Sequence, residues 1–570
     1  MSVAEHVDLL VIGSGAGGLS AAVTAAARGL KVLVVEKDAV FGGATALSGG
    51  WIWAPGNPVS AQDGADDSPE QVRAYLRHEL GAQHDEARVE AFLAAAPRMV
   101  EFFERHTRLQ FVSGSWIADI HGHSPGACNG SRSVAPQPLD GRELGPELLR
   151  QLRAQKYETS LFGMGVMAGP DLRRFLGALR SWPNFLYAAG RFARHLRDLL
   201  LHRRGLQLVN GCALVGRLLL SARALGVQLR ACTPARSLLT AQGMVIGAVI
   251  ETPQGPRRVL ARRGVVLATG GFAHDAARMA SFAGVPHGAD AWALPPAAVA
   301  GDGLSMAEAV GASVDRGSAA PLAWCPVSVV PYPGGRTGLY PHIIDRGKPG
   351  LIAVLANGRR FVNEADGYHD YVSALLRTVP TGEAPRSWLI CDHRFLRCYP
   401  FGMVKPWPVP VWPYLRSGYL KRGHTLEALA AACGIDAAGL SATVARFNEH
   451  AAQGLDPEFD RGGSLFNRRS GDADHGPNPC VAPLVDGPFY AIEVKPGCFG
   501  SFAGLRADTQ ARVLDTAGRA IEGLYAAGCD QANVMGGHYP AGGINLGPAM
   551  TFGFIAGEHA ATRSPATSLP

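Results

Sequence analysis

Near the C-terminus the chain reads Gly536-Gly537-His538-Tyr539-Pro540-Ala541-Gly542-Gly543-Ile544-Asn545-Leu546-Gly547-Pro548-Ala549-Met550, a phenol set beside a glycine-rich turn. A phenol O–H and a glycine N–H at such a turn can point at one oxygen, and two aligned donors are what stabilises an enolate. Pro548 marks the opening of the helix that follows. Read by themselves, these residues also suit a tight turn with Tyr539 merely packed.

Chemistry of that kind needs a frame, and the other end of the chain supplies one. Val7 to Ile12 is an apolar run of strand length, followed by Gly13-Ser14-Gly15-Ala16-Gly17-Gly18, an alanine-rich helical stretch and a second strand, Lys31 to Val35, ending in Glu36. Strand, glycine turn, helix, strand and acid together make a dinucleotide-binding fingerprint. Gly13 permits the tight turn, Gly15 lets the backbone approach a pyrophosphate, and Gly18 lets helix and strand pack closely. The helix N-terminus faces the phosphates, and Glu36 is placed to accept hydrogen bonds from a ribose. The loop Phe41 to Gly50 is built of small residues that let backbone lie against a flat ligand. Further strand-plus-glycine segments stand at Val265 to Gly271 and at Gly523 to Asp530.

The bulk numbers set bounds. The chain has 570 residues, 47% hydrophobic and 18% charged, which suits a large soluble α/β enzyme. Its ten cysteines form no C-x-x-C and its histidines no H-E-x-x-H, so neither a metal site nor a disulfide framework is expected. A net charge of +6 gives no reason to expect a nucleic-acid partner. Glu5 and Asp8 interrupt the only early apolar run, and no run is long enough to span a bilayer, so the expected location is the cytoplasm. One segment departs from this. Leu172 to Arg204 carries eight arginines against the single acid Asp198, with aromatics and leucines between them. That pattern fits either helices lying on an anionic membrane surface, a peripheral contact through 172–204, or an ordinary amphipathic pair with its arginines in water.

The expected fold is α/β: a Rossmann-like dinucleotide-binding domain formed by both chain ends (FAD-binding, on the resemblance given below), with an inserted α+β substrate domain. The expected divisions are 1–295 (with a basic helical insertion at about 150–205), 296–485 and 486–570. In the middle part, Gly301 to Ala309 opens a helix, a strand pair flanks the turn at Asn357-Gly358, residues 425–450 read as helical, and Gly454 to Pro479 reads as a long loop.

Taken together, the glycine segments resemble the fumarate reductase/succinate dehydrogenase flavoprotein superfamily. The resemblance implies FAD, held non-covalently because no histidine lies in Gly42 to Gly50. It places Gly13, Gly15, Ala16, Gly17, Gly18, Glu36, Lys37, Gly43, Ala44, Thr45, Ser48, Gly49, Gly50, Ala268, Thr269, Gly270, Asp302, Gly528, Asn545 and Leu546 at the cofactor. The N-terminus of the helix at Pro548 would then face the flavin pyrimidine ring. Dicarboxylate chemistry needs fixed cations, and the turn from Gly536 to Met550 has no arginine, nor Gly497 to Gly504 a histidine.

What remains resembles the 3-ketosteroid Δ1-dehydrogenase branch, on Tyr539-Pro540-Ala541-Gly542-Gly543, Gly547 to Gly553, and Gly358-Arg359-Arg360-Phe361-Val362-Asn363-Glu364. The resemblance implies that Tyr539 and the N–H of Gly543 bind a ketone oxygen and that Tyr368 removes the adjacent proton, with Tyr371 a competitor for that role. A further tyrosine of the branch is missing here, with Ile120 or His121 in its place; His121 either assists the base or is a solvated loop residue. The function the resemblance implies is desaturation of a C–C bond next to a ketone, foremost the 1,2-dehydrogenation of a 3-ketosteroid or similar bulky, steroid-like enone, with hydride passing to flavin N5 and an external electron acceptor. The alternatives are a reductase of an activated C=C bond, fumarate-like or of a 4-ene-steroid, and a flavoprotein with no turnover of its own.

Overall fold

The first strand, Glu5–Ile12, is a continuous apolar run because it is covered on both faces, the signature of a parallel sheet. In the computed structural model, which describes residues 4–64, 67–282, 284–380 and 382–565, this strand lies at the centre of an eight-stranded sheet. Its neighbours are Val32–Val35 on one side and Gly255–Leu267 on the other, both parallel. Beyond Gly255–Leu267 lies Ala520–Ala526, again parallel, and beyond Val32–Val35 lies Gln228–Arg230. The sheet is therefore closed by strands more than 500 residues apart, and both chain ends build one dinucleotide-binding domain.

The helices follow the same logic. The first helix, Ala16–Ala26, packs against the C-terminal helix, Leu546–Thr562. A Cβ on Gly553 would lie 2.3 Å from the Gly17 carbonyl oxygen, so glycine there is what allows the two backbones to touch. Ser20 Oγ donates to the Met550 carbonyl at 2.6 Å and fixes the register.

The second domain is a six-stranded antiparallel sheet in the order Thr337–Pro341, Leu322–Pro331, Phe489–Ser501, Ser387–Cys391, Leu351–Val354, with Lys421–Gly423 on Phe489–Ser501. This moves both expected boundaries. Phe489–Ser501 belongs to the second sheet, so the chain returns to the first domain after Ser501 rather than at 486. At the other end, Lys37 Nζ pairs with Asp302 at 2.6 Å, and Ala312 and Val314 bridge to Asp515 and Leu505. The segment 302–314 therefore stays with the first domain, and the second begins at Leu322.

Two local expectations also change. Leu351–Val354 pairs with Ser387–Cys391, and the residues after Asn357-Gly358 form no strand. Arg360 is instead drawn into the interior by Glu364 and Asp456, at 2.7 Å each. The stretch 454–479, expected as a loop, holds a short helix at Leu465–Ser470 capped by Ser464. The helices at Asp302–Glu308, Leu426–Cys433 and Ala437–Ala451 lie where the pattern places them.

The basic insertion folds as Pro170–Leu176 and a 21-residue helix, Trp182–His202. Its sidedness is inverted. The inward face carries Arg191, His195 and Asp198, with Arg191 bonded to Asp171 at 2.9 Å and the Asp198 carboxylate accepting the Leu206 N–H at 3.3 Å. The outward face carries Trp182, Leu186, Leu196, Leu200 and Leu201, with Leu200 85% exposed. Among the described residues no helix is long and apolar enough to cross a membrane.

Candidate active site

The glycines of the fingerprint fall into two groups. A Cβ on Gly13 would sit 2.1 Å from the Ala268 carbonyl oxygen, and one on Gly18 would sit 2.1 Å from that of Gly13. These two serve the fold. A Cβ on Gly15 would meet only Thr45 Oγ1, at 3.4 Å, and one on Gly43 would meet nothing within 4 Å. The protein leaves open space at both, at the N-terminus of the first helix, where a pyrophosphate would lie. Thr45 Oγ1 accepts the Ala16 N–H at 3.0 Å and ties the small-residue loop to that helix start. Ser48 Oγ caps the same loop on Thr45 O, and Gly50 packs on Asn210.

Glu36 lies at the end of the second strand. Its carboxylate accepts the Ser14 hydroxyl at 2.5 Å and the N–H of Asp38 at 2.9 Å. Asp530, fully buried, accepts from Thr269 N–H, Thr269 Oγ1 and Gly271 N–H at 2.6 to 2.9 Å, so it shapes the Ala268-Thr269-Gly270 turn. Burial pushes its carboxyl above the ordinary range, against the pull of those donors. Gly528 opens the short turn that carries Asp530. Asn545 Oδ1 and Gln531 Nε2 are buried without a partner among the described residues, the kind of orphan that a bound ligand satisfies. The open glycine cradle, the acid at the strand end and these orphans fit FAD.

The second half of the site lies where the two domains meet. Tyr368 opens the helix Tyr368–Thr378, and Tyr539 stands in the C-terminal turn. Their rings meet edge to face with centroids 4.8 Å apart, so residues 171 positions apart in sequence come into contact. Phe499 packs edge-on against Tyr368 at 5.2 Å. Asn545 Nδ2 donates to the Tyr539 hydroxyl at 3.1 Å. The Gly543 carbonyl accepts from Trp53 N–H and Gly547 N–H, while its own N–H has no acceptor among the described residues. With φ at +104° and Trp53 N 2.7 Å from a would-be Cβ, position 543 demands glycine.

Burial pushes both phenols well above the ordinary range, and the neighbouring Tyr539 raises Tyr368 further. Tyr371 is not part of this pair. It is fully buried, shares a 2.8 Å hydrogen bond with Ser387, and has the Arg346 guanidinium over its ring.

Two neighbours escaped the sequence reading, and a third was expected in another role. His369 is buried beside Tyr539, accepts the Trp324 N–H at 3.2 Å, and is pushed down to about 4 by burial, so it is neutral. Arg346 donates to the carbonyls of His342, Glu364 and Asp366 and so holds the approach to the Tyr368 helix. Asn545, expected at the cofactor, also reaches the phenol. His369 had one signal, its place next to Tyr368; Arg346 had none, because its acceptors are backbone.

A dinucleotide cradle joined to a dry pair of phenols defines a flavin-dependent oxidoreductase. Residues 8–546 match the family described as FAD binding domain. The chain is 38% identical over 558 residues to the 4-oxocyclohex-2-ene-1-carboxylate 5-dehydrogenase of Sinomonas cyclohexanicum, covering 97% of this chain and 93% of that protein. It is 34% identical to the 3-oxosteroid 1-dehydrogenase of Mycobacterium tuberculosis, over 98% of this chain and 99% of the relative. The crystal structure of the 3-ketosteroid Δ1-dehydrogenase of Sterolibacterium denitrificans, in complex with 1,4-androstadiene-3,17-dione, superposes with a TM-score of 0.90 at 35% identity, covering 98% of this chain and 99% of that one. The chain belongs to the FAD-binding family and, within it, to the branch that contains the 3-oxosteroid 1-dehydrogenases. It is an FAD-dependent enzyme acting on CH–CH donors.

Proposed function

We propose that the enzyme desaturates the C–C bond next to a ring ketone, with a 3-ketosteroid as substrate and the 1,2 bond as the site of reaction. The observation that carries this reading is the contact of Tyr368 with Tyr539 beside the unclaimed N–H of Gly543. A ketone oxygen placed between the Tyr539 hydroxyl and that N–H is held as it gains charge, and each such donor contributes roughly 3–4 kcal/mol. Tyr368 removes the proton from the carbon next to the carbonyl. The hydrogen on the following carbon then leaves with its electron pair, and the new double bond forms between the two carbons. FAD, held by the residues of the cradle, supplies the two-electron acceptor, and an external acceptor regenerates it.

The desaturase and reductase directions use the same groups. Relatives that act on a bulky steroid and on a small oxocyclohexene carboxylate share this chain's length. The steroid reading is favoured by charge: the rings packed against the pair are Phe499, Phe502 and a neutral His369, none of which offers a positive charge to an anionic substrate. The test is anaerobic flavin bleaching with 4-androstene-3,17-dione and, in parallel, 4-oxocyclohex-2-ene-1-carboxylate, with product identification. Bleaching by the steroid with a new 1,2 double bond supports the reading. Bleaching by the carboxylate alone replaces the substrate.

A second reading concerns location. The helix Trp182–His202 buries Arg191, His195 and Asp198 and exposes its leucines and Trp182, and Arg173, Arg174, Arg194, Arg197 and Arg203 of the same segment are exposed as well. Exposed apolar side chains mixed with arginine fit the surface of an anionic membrane, where an apolar substrate accumulates. Co-sedimentation with liposomes containing phosphatidylglycerol should be lost in Trp182→Ser/Leu200→Ser; equal pelleting of both proteins would remove this reading.

A further inference from the structure

The segment that lacks the branch's tyrosine is not a free loop. Asp119 is anchored by Arg132 at 2.6 Å, by Cys128 N–H at 2.9 Å and by Trp53 Nε1 at 3.3 Å, all within the first domain. Ile120 N–H donates to the Pro540 carbonyl at 2.9 Å, one residue from Tyr539. The Ile120 side chain packs on Gly367, where an added Cβ would lie 2.9 Å from Ile120 Cγ2. His121 then reaches both ways: Nδ1 to Glu79 on the helix Pro69–Leu80, and Nε2 to Asp370 in the first turn of the Tyr368 helix, at 3.1 Å. Tyr75, four residues before Glu79 and therefore on the same helix face, donates to the same Pro540 carbonyl at 2.6 Å. One helix thus grips the Tyr539 turn with Tyr75 and His121 with Glu79.

Building on the assignment of Tyr368 and Tyr539 above, we propose that His121 is a positioning residue that clamps the Tyr368 helix of one domain onto the Tyr539 turn of the other, through the bridge Glu79–His121–Asp370. Where the branch places a phenol, this chain places an ionic brace. The branch's tyrosine would act on the base by hydrogen bonding; His121 acts on where the base stands.

The charged groups around the brace agree. The imidazole is bonded to Glu79, with His78 nearby, from one helix and to Asp370 from the other; Asp366, His369 and, in the C-terminal turn, His538 face it only as charges. Burial works to lower His121, but the two carboxylates outweigh it and push it up to about 10. Its folded value is raised, so the brace is complete below the ordinary imidazole range and is lost as pH rises through about 10.

The deciding experiment is hydrogen exchange on the FAD-loaded enzyme at pH 7, comparing wild type with His121→Gln, His121→Arg and Asp370→Asn. The peptide covering 368–378 should exchange about tenfold faster in His121→Gln and Asp370→Asn, while that covering 16–26 stays unchanged. The forked cation of His121→Arg should restore protection. With substrate, His121→Gln should lower kcat about tenfold with little change in KM, and the alkaline fall in kcat should move above pH 10 in His121→Arg. Unchanged exchange at 368–378 in both charge-removing variants, or failure of arginine to restore it, overturns the proposal. If His121→Gln does not fold, Asp370→Asn tests the same bridge from its other end. Exchange needs no substrate, so a wild type that ignores the steroid yet shows the exchange pattern keeps the brace and sinks only the substrate assignment.

Discussion

The two walls of the active site are built differently. The Tyr539 wall is held by neutral donors, mostly on its own backbone carbonyls: Pro540 O takes the Tyr75 hydroxyl and the Ile120 N–H, Gly542 O takes the Ser133 hydroxyl, Gly543 O takes the Trp53 and Gly547 N–H groups, and the phenol takes the Asn545 amide. The Tyr368 wall belongs to the other domain and is held by side-chain charge: Arg346 on the carbonyls before the helix, Arg360 between Glu364 and Asp456, and His121 on Asp370. Backbone turns of this kind are rigid, whereas charge pairs depend on pH and on every partner being present. One wall is therefore preformed, and the other is fastened in place.

The largest expected effect tests the fastened wall at its working residue. Tyr368→Phe should slow flavin reduction about 10²–10⁴-fold with the fold intact. Because burial holds this phenol above its ordinary range, the wild-type kcat/KM should climb about tenfold per pH unit between pH 6 and 9. A flat profile would mean that Tyr368 does not act as a base.

Next comes the frame of that wall. Arg360→Met strands the buried Asp456 carboxylate and leaves Glu364 with Arg461 alone, and should cost about 3–5 kcal/mol in denaturant unfolding, monitored by circular dichroism. A loss below about 1 kcal/mol, the scale of an exposed pair, would erase the contrast drawn here. On the preformed wall, Tyr539→Phe should reduce turnover about 10²–10³-fold while leaving the pH slope in place. The smallest effect is that of Asn545→Ala, which removes one neutral donor to the phenol. It should cost about 1 kcal/mol, or roughly fivefold in rate. If Asn545→Ala matches Tyr539→Phe, the phenol is set by its side-chain partner and the preformed wall is not preformed.

The preformed wall was legible in the sequence because its signals are short-range. The fingerprint from Gly13 to Glu36 and the turn from Tyr539 to Gly543 each lie within a few dozen residues, and glycine spacing reports backbone shape directly. The fastened wall was legible only in part. Tyr368 and Tyr371 lie three apart on one helix, and nothing local says that Tyr371 turns to Ser387 while Tyr368 turns to Tyr539. The partners of His121 lie 42 and 249 residues away, beyond any spacing rule. Phe489–Ser501 reads as a strand, but strand character does not say which sheet it joins. The helix Trp182–His202 was seen to mix arginine with leucine, but only its packing reveals that Arg191, His195 and Asp198 are buried while the leucines are exposed.

The closing of one sheet by strands from both chain ends has a consequence for how the protein is made. During synthesis the glycine fingerprint leaves the ribosome more than 500 residues before its neighbours Ala520–Ala526 and Leu546–Thr562. For most of its translation the chain carries a nucleotide fingerprint with one side of its cage not yet written. Burial of the first helix therefore waits for residues made more than 500 positions later, and a chain cut before Leu546 would keep every fingerprint glycine and lose the helix that covers them.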